Sequence, residues 1–219
     1  MGIVRMATLL CYTPLLLQGV YVTMAAWSVA GSISLIIGTC LGIASSQRIG
    51  SKPVIIAIRI YSFITRGIPA YVQILIGYFV IPSITGIDVS GFTAATCALG
   101  ICASGYVTEI VRGGINAIAP GQWDSCYALG FSLSDTVRHI ILPQALKIMT
   151  PSLIGEYEQL VKSTSLLAAI GVTELTRAGM NIISRELNPL PVYCTIACFY
   201  LLFSAIFNLL IIYSQRKSE

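Results

Sequence analysis

Residues 121–146, GQWDSCYALGFSLSDTVRHIILPQAL, form a polar stretch in the middle of an apolar chain. The stretch carries two aspartates, one arginine and the single histidine of the chain, His139. Only 10% of the 219 residues are charged and 56% are hydrophobic, whereas a soluble domain carries about 25% charged residues. The composition therefore predicts a membrane protein, and the polar stretch predicts a loop outside the membrane.

Runs without Asp, Glu, Lys or Arg lie on both sides of this loop. Several are long enough to cross about 30 Å of hydrocarbon, which takes about 20 helical residues. A helix also satisfies its backbone hydrogen bonds within one segment, as lipid requires. We therefore expect an all-α integral membrane protein with one transmembrane domain over residues 1–219. The five expected spans cover residues 15–44, 64–82, 92–115, 145–170 and 192–213.

The segments between these spans carry most of the charge. The second span is expected to begin near residue 64, because Arg59 and Arg66 interrupt the apolar run. Arg66 opens the motif RGIP and is expected to anchor the chain at the membrane surface. Glu109 and Arg112 are three residues apart and are expected to form an interfacial ion pair. Residues 171–191, GVTELTRAGMNIISRELNPLP, predict a long polar loop.

Lys and Arg are enriched in the cytoplasmic loops of membrane proteins, and five spans place the two termini on opposite sides. If the polar hairpin of residues 120–143 is cytoplasmic, nine Lys and Arg residues lie on its side and three on the other. The nine are Arg48, Lys52, Arg59, Arg66, Arg112, Arg138, Lys147, Arg216 and Lys217, and the three are Arg5, Arg177 and Arg185. The count predicts a cytoplasmic hairpin and C-terminus, with the N-terminus outside.

The net charge of +4 is small and the cations are scattered, so we expect no nucleic-acid partner. The seven cysteines mostly lie in apolar runs, without CxxC spacing or a histidine nearby. We interpret them as small packing residues rather than as metal ligands or disulfides. No metal and no other cofactor is expected.

The hairpin contains local signals for two helices. Pro120 begins a turn, and a short helix follows over QWDSCYAL. Gly130 suits the position after a helix end, where a left-handed conformation favours glycine. Ser132 and Asp135 have the spacing of a capping box, with Asp in place of Glu. A second helix is expected to run through Leu142 and to stop or bend at Pro143.

The short helix of the hairpin is expected to present Trp123, Tyr127 and Leu129 to water. Exposed apolar side chains of this size usually serve a partner. The alternative interpretation is a loop folded back on its own helical bundle, and the residue types alone leave both open.

The same stretch resembles the cytoplasmic loop of binding-protein-dependent ABC importer permeases. The family pattern is E-A-A, three residues, G, nine residues and I-x-L-P. This chain has Asp124-Ser125-Cys126, then Gly130, then Ile140-x-Leu142-Pro143, with both gaps matching. D-S-C in place of E-A-A keeps the charge on a side chain one methylene shorter.

Three other segments resemble the permeases for polar amino acids, of the histidine, glutamine and arginine type. They are VTEIVRGGINAI at 107–118, RGIP at 66–69 and LVKSTSLLAAIGVTELTRAG at 160–179. One departure lies in the last of these, where K-S-T-S-L at residues 162–166 replaces the usual K-D-T-S-L and removes a carboxylate.

The resemblance implies a type I ABC importer permease fold in a bacterial inner membrane. It implies that the hairpin carries a coupling helix, which docks on a separate ATP-hydrolysing subunit. The docking residues implied are Trp123, Asp124, Tyr127, Ala128, Leu129, Gly130 and Pro143. The chain has no G-x-x-x-x-G-K-[ST] phosphate loop, so we expect it to be a transporter subunit and not the ATPase.

The resemblance also implies a set of partners. These are a dimer of ATP-binding subunits, a second permease chain that is either identical or a sister, an extracytoplasmic substrate-binding protein, an amino acid substrate and membrane lipid. The alternative function is a non-transporting membrane scaffold or regulated channel that uses the hairpin only to dock an ATPase.

Charged residues in the fourth expected span mark a candidate substrate path, because charges within a bilayer usually face a bundle interior or a water-filled route. Glu158 and Lys162 are four residues apart and can pair, while Glu156 lies about 200° around the helix from Glu158. An amino acid zwitterion needs a cation for its carboxylate and an acceptor for its ammonium. The candidate path residues are Glu156, Glu158, Lys162, Thr164 and Ser165, and a purely structural ion pair is the alternative for Glu158 and Lys162.

Overall fold

The computed structural model describes residues 11–216, and these residues are helical except for short connections. The expected all-α architecture is confirmed. In this part of the chain the helices are α1 (Thr13–Ala44), α2 (Lys52–Gly67), α3 (Ala70–Thr85), α4 (Gly91–Asn116), α5 (Pro120–Ala128), α6 (Leu133–Ile170), α7 (Leu175–Glu186) and α8 (Pro189–Arg216).

Three of these helices, α1, α4 and α8, are each long and apolar enough to cross a membrane. Two bent pairs also qualify: α2 with α3, bent by 95°, and α6 with α7, bent by 47°. The described residues therefore supply three spans, or five if each bent pair is one span.

The second expected span, residues 64–82, lies in a helical path that is broken. This path starts at Lys52 and breaks after Gly67. Ile68 is extended, with φ −89° and ψ 128°. The reason is Pro69, because a proline ring disfavours the helical conformation in the preceding residue.

The expectation of a loop over residues 171–191 is wrong for most of its length, because α7 lies there. Glu174 caps this helix: its carboxylate accepts hydrogen bonds from the backbone N–H groups of Thr176 (2.8 Å) and Arg177 (2.7 Å). The polar composition conceals an apolar stripe with helical spacing. The buried residues of that stripe are Leu175, Ala178, Gly179 and Ile182.

Helices α1 and α4 pack closely at the centre of the bundle. A Cβ atom at Gly38 would lie 2.5 Å from the Cβ of Val107, and one at Gly42 would lie 2.6 Å from that of Val111. Small residues at helix interfaces permit such close approach within membranes. In its most apolar window α4 is 72% buried, whereas α8 is 6% buried. Helix α4 is therefore central and α8 is peripheral.

The hairpin has the predicted capping chemistry. Gly130 follows the end of α5 with φ +78°, and the backbone N–H of Phe131 donates to the carbonyl of Cys126 (3.1 Å). The Ser132 hydroxyl accepts from the backbone N–H of Asp135 (3.1 Å) and starts α6. Helix α6 does not stop at Pro143: a π-helical turn, Thr136–Ile141, lies just before it. A wider turn there accommodates the missing proline N–H.

Candidate functional site

Helix α5 attaches to the membrane domain through one narrow face. Trp123 is 7% exposed and Cys126 is 3% exposed. The indole packs in an apolar cluster with Ile115 of α4 and Ile141 of α6. The expectation that Trp123 faces water is therefore wrong, because residues three apart share one helix face and that face is buried.

The rest of α5 is open and carries large apolar groups. Tyr127 is 86% exposed and Leu129 is 76% exposed. Asp124, Ala128 and Gly130 are also exposed, so five of the expected docking residues lie on the exposed surface of the hairpin. Pro143 is also exposed, at the far end of the π-helical turn. The hairpin thus both folds back, through Trp123, and presents apolar groups outward.

A groove of about 610 Å³ adjoins this surface, between α5 and the start of α6. At its edge the Arg48 guanidinium donates to the Asp124 carboxylate, with Nη1 and Oδ1 2.7 Å apart. The other lining residues are Trp123, Tyr127, Phe131, Leu133 and Thr136. An apolar projection beside a groove is a shape that another protein can recognise.

The predicted ion pair on α6 is confirmed: Lys162 Nζ donates to Glu158 Oε1 at 2.7 Å. The Lys162 side chain is 45% exposed and that of Glu158 is 15% exposed. Ser165 lies close by and donates to the Lys162 carbonyl (2.8 Å). Thr164 is fully buried and donates to the Val161 carbonyl (2.7 Å).

Thr164, one of the candidate path residues, does not lie on the same side of α6 as Lys162. It is two residues beyond Lys162, which is about 200° around a helix. Thr164 therefore faces the interior, whereas Lys162 does not. The last part of α6, Thr164–Ile170, is a 3₁₀ helix.

Glu156 faces a different place, a cavity of about 250 Å³ between the break in the second span, α4 and α6. Arg66 lines the same cavity. Within the described residues no salt bridge joins the two, so a carboxylate and a guanidinium border one small space. The other lining residues are Ile68, Pro69, Ala70, Leu99, Cys102, Ala103, Tyr106, Gln159, Leu160 and Ser163.

Arg66 is fixed in this position by two contacts. Its Nε donates to the Ser62 carbonyl (3.2 Å), and its guanidinium carbon lies 5.8 Å from the centroid of the Tyr106 ring. Sequence reasoning assigned Arg66 to surface anchoring and missed its place in the cavity. The available signal was the RGIP motif itself, because a proline-broken span in a membrane lines a cavity with irregular backbone.

Two other acidic residues have structural contacts. Glu109 and Arg112 form the predicted ion pair on α4. Glu174, which sequence reasoning missed, is fully buried. Besides capping α7 it accepts a hydrogen bond from the Tyr200 hydroxyl (3.2 Å). This carboxylate therefore links α7 to α8.

These features define a class: a multi-span membrane protein with a cavity at a broken helix that two charged side chains line, and with a short helix that exposes large apolar side chains. The profile of the family described as binding-protein-dependent transport system inner membrane component matches residues 38–219. The chain belongs to this family. It is accordingly a multi-pass inner-membrane protein and a permease subunit.

Two curated relatives illustrate the similarity. The glutamine transport system permease protein GlnP of Escherichia coli (strain K12) is 32% identical over 207 residues, which cover 94% of each chain. The arginine transport system permease protein ArtQ of Bacillus subtilis (strain 168) is 33% identical over 164 residues, which cover 75% of this chain and 74% of ArtQ.

Solved structures share the fold. A crystal structure of an amino acid ABC transporter with histidines superposes with a TM-score of 0.87 at 30% identity, covering 98% of this chain and 100% of the other. The inward-facing MetNI methionine ABC transporter superposes with a TM-score of 0.77 at 20% identity, covering 92% of this chain and 97% of the other. The expected type I importer permease fold is confirmed.

Proposed function

We propose that this chain is the membrane-spanning permease subunit of an ATP-driven importer for a polar amino acid. The cavity that contains Arg66 and Glu156 carries this proposal. A guanidinium can bind the α-carboxylate of an amino acid, and a carboxylate can accept from its ammonium group. The glutamine and arginine permeases among the relatives, and the amino acid transporter among the solved structures, support this substrate class.

The size of the cavity suits such a ligand. Pockets for drug-sized molecules start at about 300 Å³, and this cavity is about 250 Å³. Gln159 and Ser163 line it on the side of α6 and add hydrogen-bonding groups. Glu156 and Arg66 are therefore the proposed substrate-binding charges.

Glu158, Lys162 and Ser165 line the proposed continuation of the substrate path, where the two charges neutralise each other rather than bind the substrate. The Lys162 side chain is 45% exposed although α6 belongs to a candidate span. A charge in contact with hydrocarbon is costly, about 2.5–3.5 kcal/mol on insertion scales. A second permease chain, identical or a sister, would cover this side and enclose the path between the two chains.

The outer face of α5 is the proposed docking site for a separate ATP-hydrolysing subunit. Tyr127 and Leu129 would insert into a groove of that subunit, with Asp124, Ala128 and Gly130 around them. Trp123 would hold the helix on the membrane domain, and Pro143 lies beyond the π-helical turn. Two ATPase subunits and an extracytoplasmic binding protein complete the proposed importer. ATP binding would draw the two coupling helices together and open the path outward, and hydrolysis would reverse this.

The proposed orientation places the hairpin and the C-terminus in the cytoplasm, with the N-terminus outside. It is supported by eight Lys and Arg residues on the hairpin side, leaving out Arg66 of the cavity, against three on the other. Of these, Arg5 and Lys217 lie outside the described residues. A cysteine at Gly121 in a cysteine-free background should react with an impermeant maleimide only in inside-out vesicles. Labelling in intact cells would contradict the orientation.

Reconstitution tests the function itself. Proteoliposomes containing the permease, its ATPase subunit and its binding protein should accumulate glutamine or arginine, the substrates named for the relatives, only when ATP is present. A complex that hydrolyses ATP without any uptake, or that passes the amino acid without ATP, would instead support the scaffold or the channel.

A further inference from the structure

The turn between α1 and α2, residues 45–51, is closed and rests against the hairpin. Ser45 and Ser46 are fully buried, and their hydroxyls donate to carbonyls of the last turn of α1 at 3.2 Å and 2.9 Å. Gly50 lies so near the Ala44 carbonyl oxygen that an added Cβ would overlap it. The turn is therefore a fixed continuation of α1 rather than a loose connection.

Three consecutive residues of this turn contact the hairpin or the end of α4. The backbone N–H of Gln47 donates to the Asn116 side chain (3.1 Å). The Arg48 guanidinium donates to the Asp124 carboxylate (2.7 Å). Ile49 packs on the apolar cluster that contains Trp123. Helix α1 is thus joined to α5 by non-covalent contacts of this turn, in addition to the covalent connection through α2, α3 and α4.

The other side-chain attachments of α5 are two buried residues and one long polar contact. Trp123 and Cys126 are the buried residues of the helix, and they lie on one face. On one flank the Gln144 amide approaches the Gln122 side chain at 3.4 Å, which is long for a hydrogen bond. On the other flank the Arg48–Asp124 contact is short. Arg48 therefore adds a polar restraint on rotation of α5 about its own axis to the burial of Trp123 and Cys126.

We propose that Arg48 is a positioning residue for energy coupling. It fixes the orientation of α5 and transmits the displacement of this helix to α1, so that ATP-driven movement at the docking surface reaches the spans. This inference rests on the proposed function, because it requires an ATPase docked on α5. Without Arg48, part of each movement would be lost as rotation of α5 on Trp123.

The measurement is the number of amino acid molecules imported per ATP hydrolysed, in proteoliposomes holding the complete transporter. Arg48→Ala should lower this ratio about two- to fivefold, the range by which an exposed ion pair shifts an equilibrium. Arg48→Lys keeps a cation and should retain most of the ratio. Lys52→Ala is the matched control: it removes an exposed cation at the start of α2 and should leave the ratio at the wild-type value.

Three results would overturn the proposal: a wild-type ratio in Arg48→Ala, an equal loss in Arg48→Ala and Arg48→Lys, or the same loss in Lys52→Ala. A variant that only weakened the fold would lower uptake and ATP hydrolysis together. The ratio of the two would then stay at the wild-type value, and this result would also contradict coupling through Arg48. Failure of the proposed function looks different, because the wild-type complex itself would then show no ATP-driven uptake.

Discussion

The cavity beside the broken span and the outer face of α5 differ in the kind of side chain that lacks a partner. In the cavity, Arg66 and Glu156 border one space within the membrane domain and form no salt bridge with each other among the described residues. On α5, Asp124 is already paired with Arg48, and it is the apolar Tyr127 and Leu129 that are exposed.

Each region therefore carries the groups that its own surroundings disfavour. Unpaired charges inside a membrane are costly and are retained where a polar ligand can neutralise them. Large apolar side chains in water are retained where another protein covers them. The Glu158–Lys162 pair belongs to neither case, because each charge already has its partner on the same helix.

The strongest test concerns the unpaired carboxylate of the cavity. Glu156→Gln should lower amino acid uptake by about ten- to a hundredfold, because a hydrogen bond to a charged group contributes about 1.5–3 kcal/mol. Asp88→Asn, which neutralises an exposed carboxylate in the loop between α3 and α4, should retain wild-type uptake. Equal uptake by the two variants would remove Glu156 from the substrate site.

The next test concerns the glycine elbow beside the docking surface. Gly130→Ala places a side chain at φ +78°, which costs about 1–2 kcal/mol. The strained elbow should relax in the free permease, and docking must restore it, so the amount of ATPase subunit that copurifies with the permease should fall about five- to thirtyfold at limiting concentration. Gly121→Ala is the control, since a Cβ meets open space at both positions and only Gly130 has a positive φ. Unchanged copurification of Gly130→Ala would show that docking does not depend on the elbow.

The smallest effect is expected for Glu158 and Lys162, whose charges pair with each other. Lys162→Met leaves Glu158 unpaired and should lower the unfolding free energy by at most about 1 kcal/mol, because the pair is partly exposed. The double variant Lys162→Met with Glu158→Leu should regain both stability and uptake, since apolar residues often replace such a pair without loss. Thermal unfolding in detergent and uptake should be measured on the same preparations.

Failure of the double variant to regain uptake would contradict the distinction between this ion pair and the charges of the cavity. If it assembles and hydrolyses ATP but does not transport, the pair binds substrate and belongs with Arg66 and Glu156. The substrate path would then depend on charges from both faces of α6.

Features encoded by neighbouring residues could be predicted from the sequence. The Gly130 elbow, the Ser132 cap and the Glu158–Lys162 pair each depend on residues no more than five positions apart. Their conformations follow from local hydrogen bonding and helix periodicity.

Features that depend on distant contacts could not be predicted. Arg66 and Glu156 are 90 positions apart, and they meet only because Pro69 breaks the second span beside α6. The burial of Trp123 likewise depends on residues of α4 and α6. Helix α7 was missed for a different reason: its polar residues outnumber its apolar stripe, so composition indicated a loop although the stripe had helical spacing.

The peripheral position of α8 has a consequence for biosynthesis. With a mean hydropathy of 2.3, α8 is the most apolar of the three unbroken candidate spans in the described residues, and it buries only 6% of its apolar window. It can therefore partition into lipid on its own as it leaves the ribosome. The two bent pairs carry charged side chains and breaks, and they pack against α1 and α4. We expect membrane insertion to depart from chain order, with the bent pairs settling after the helices on either side of them.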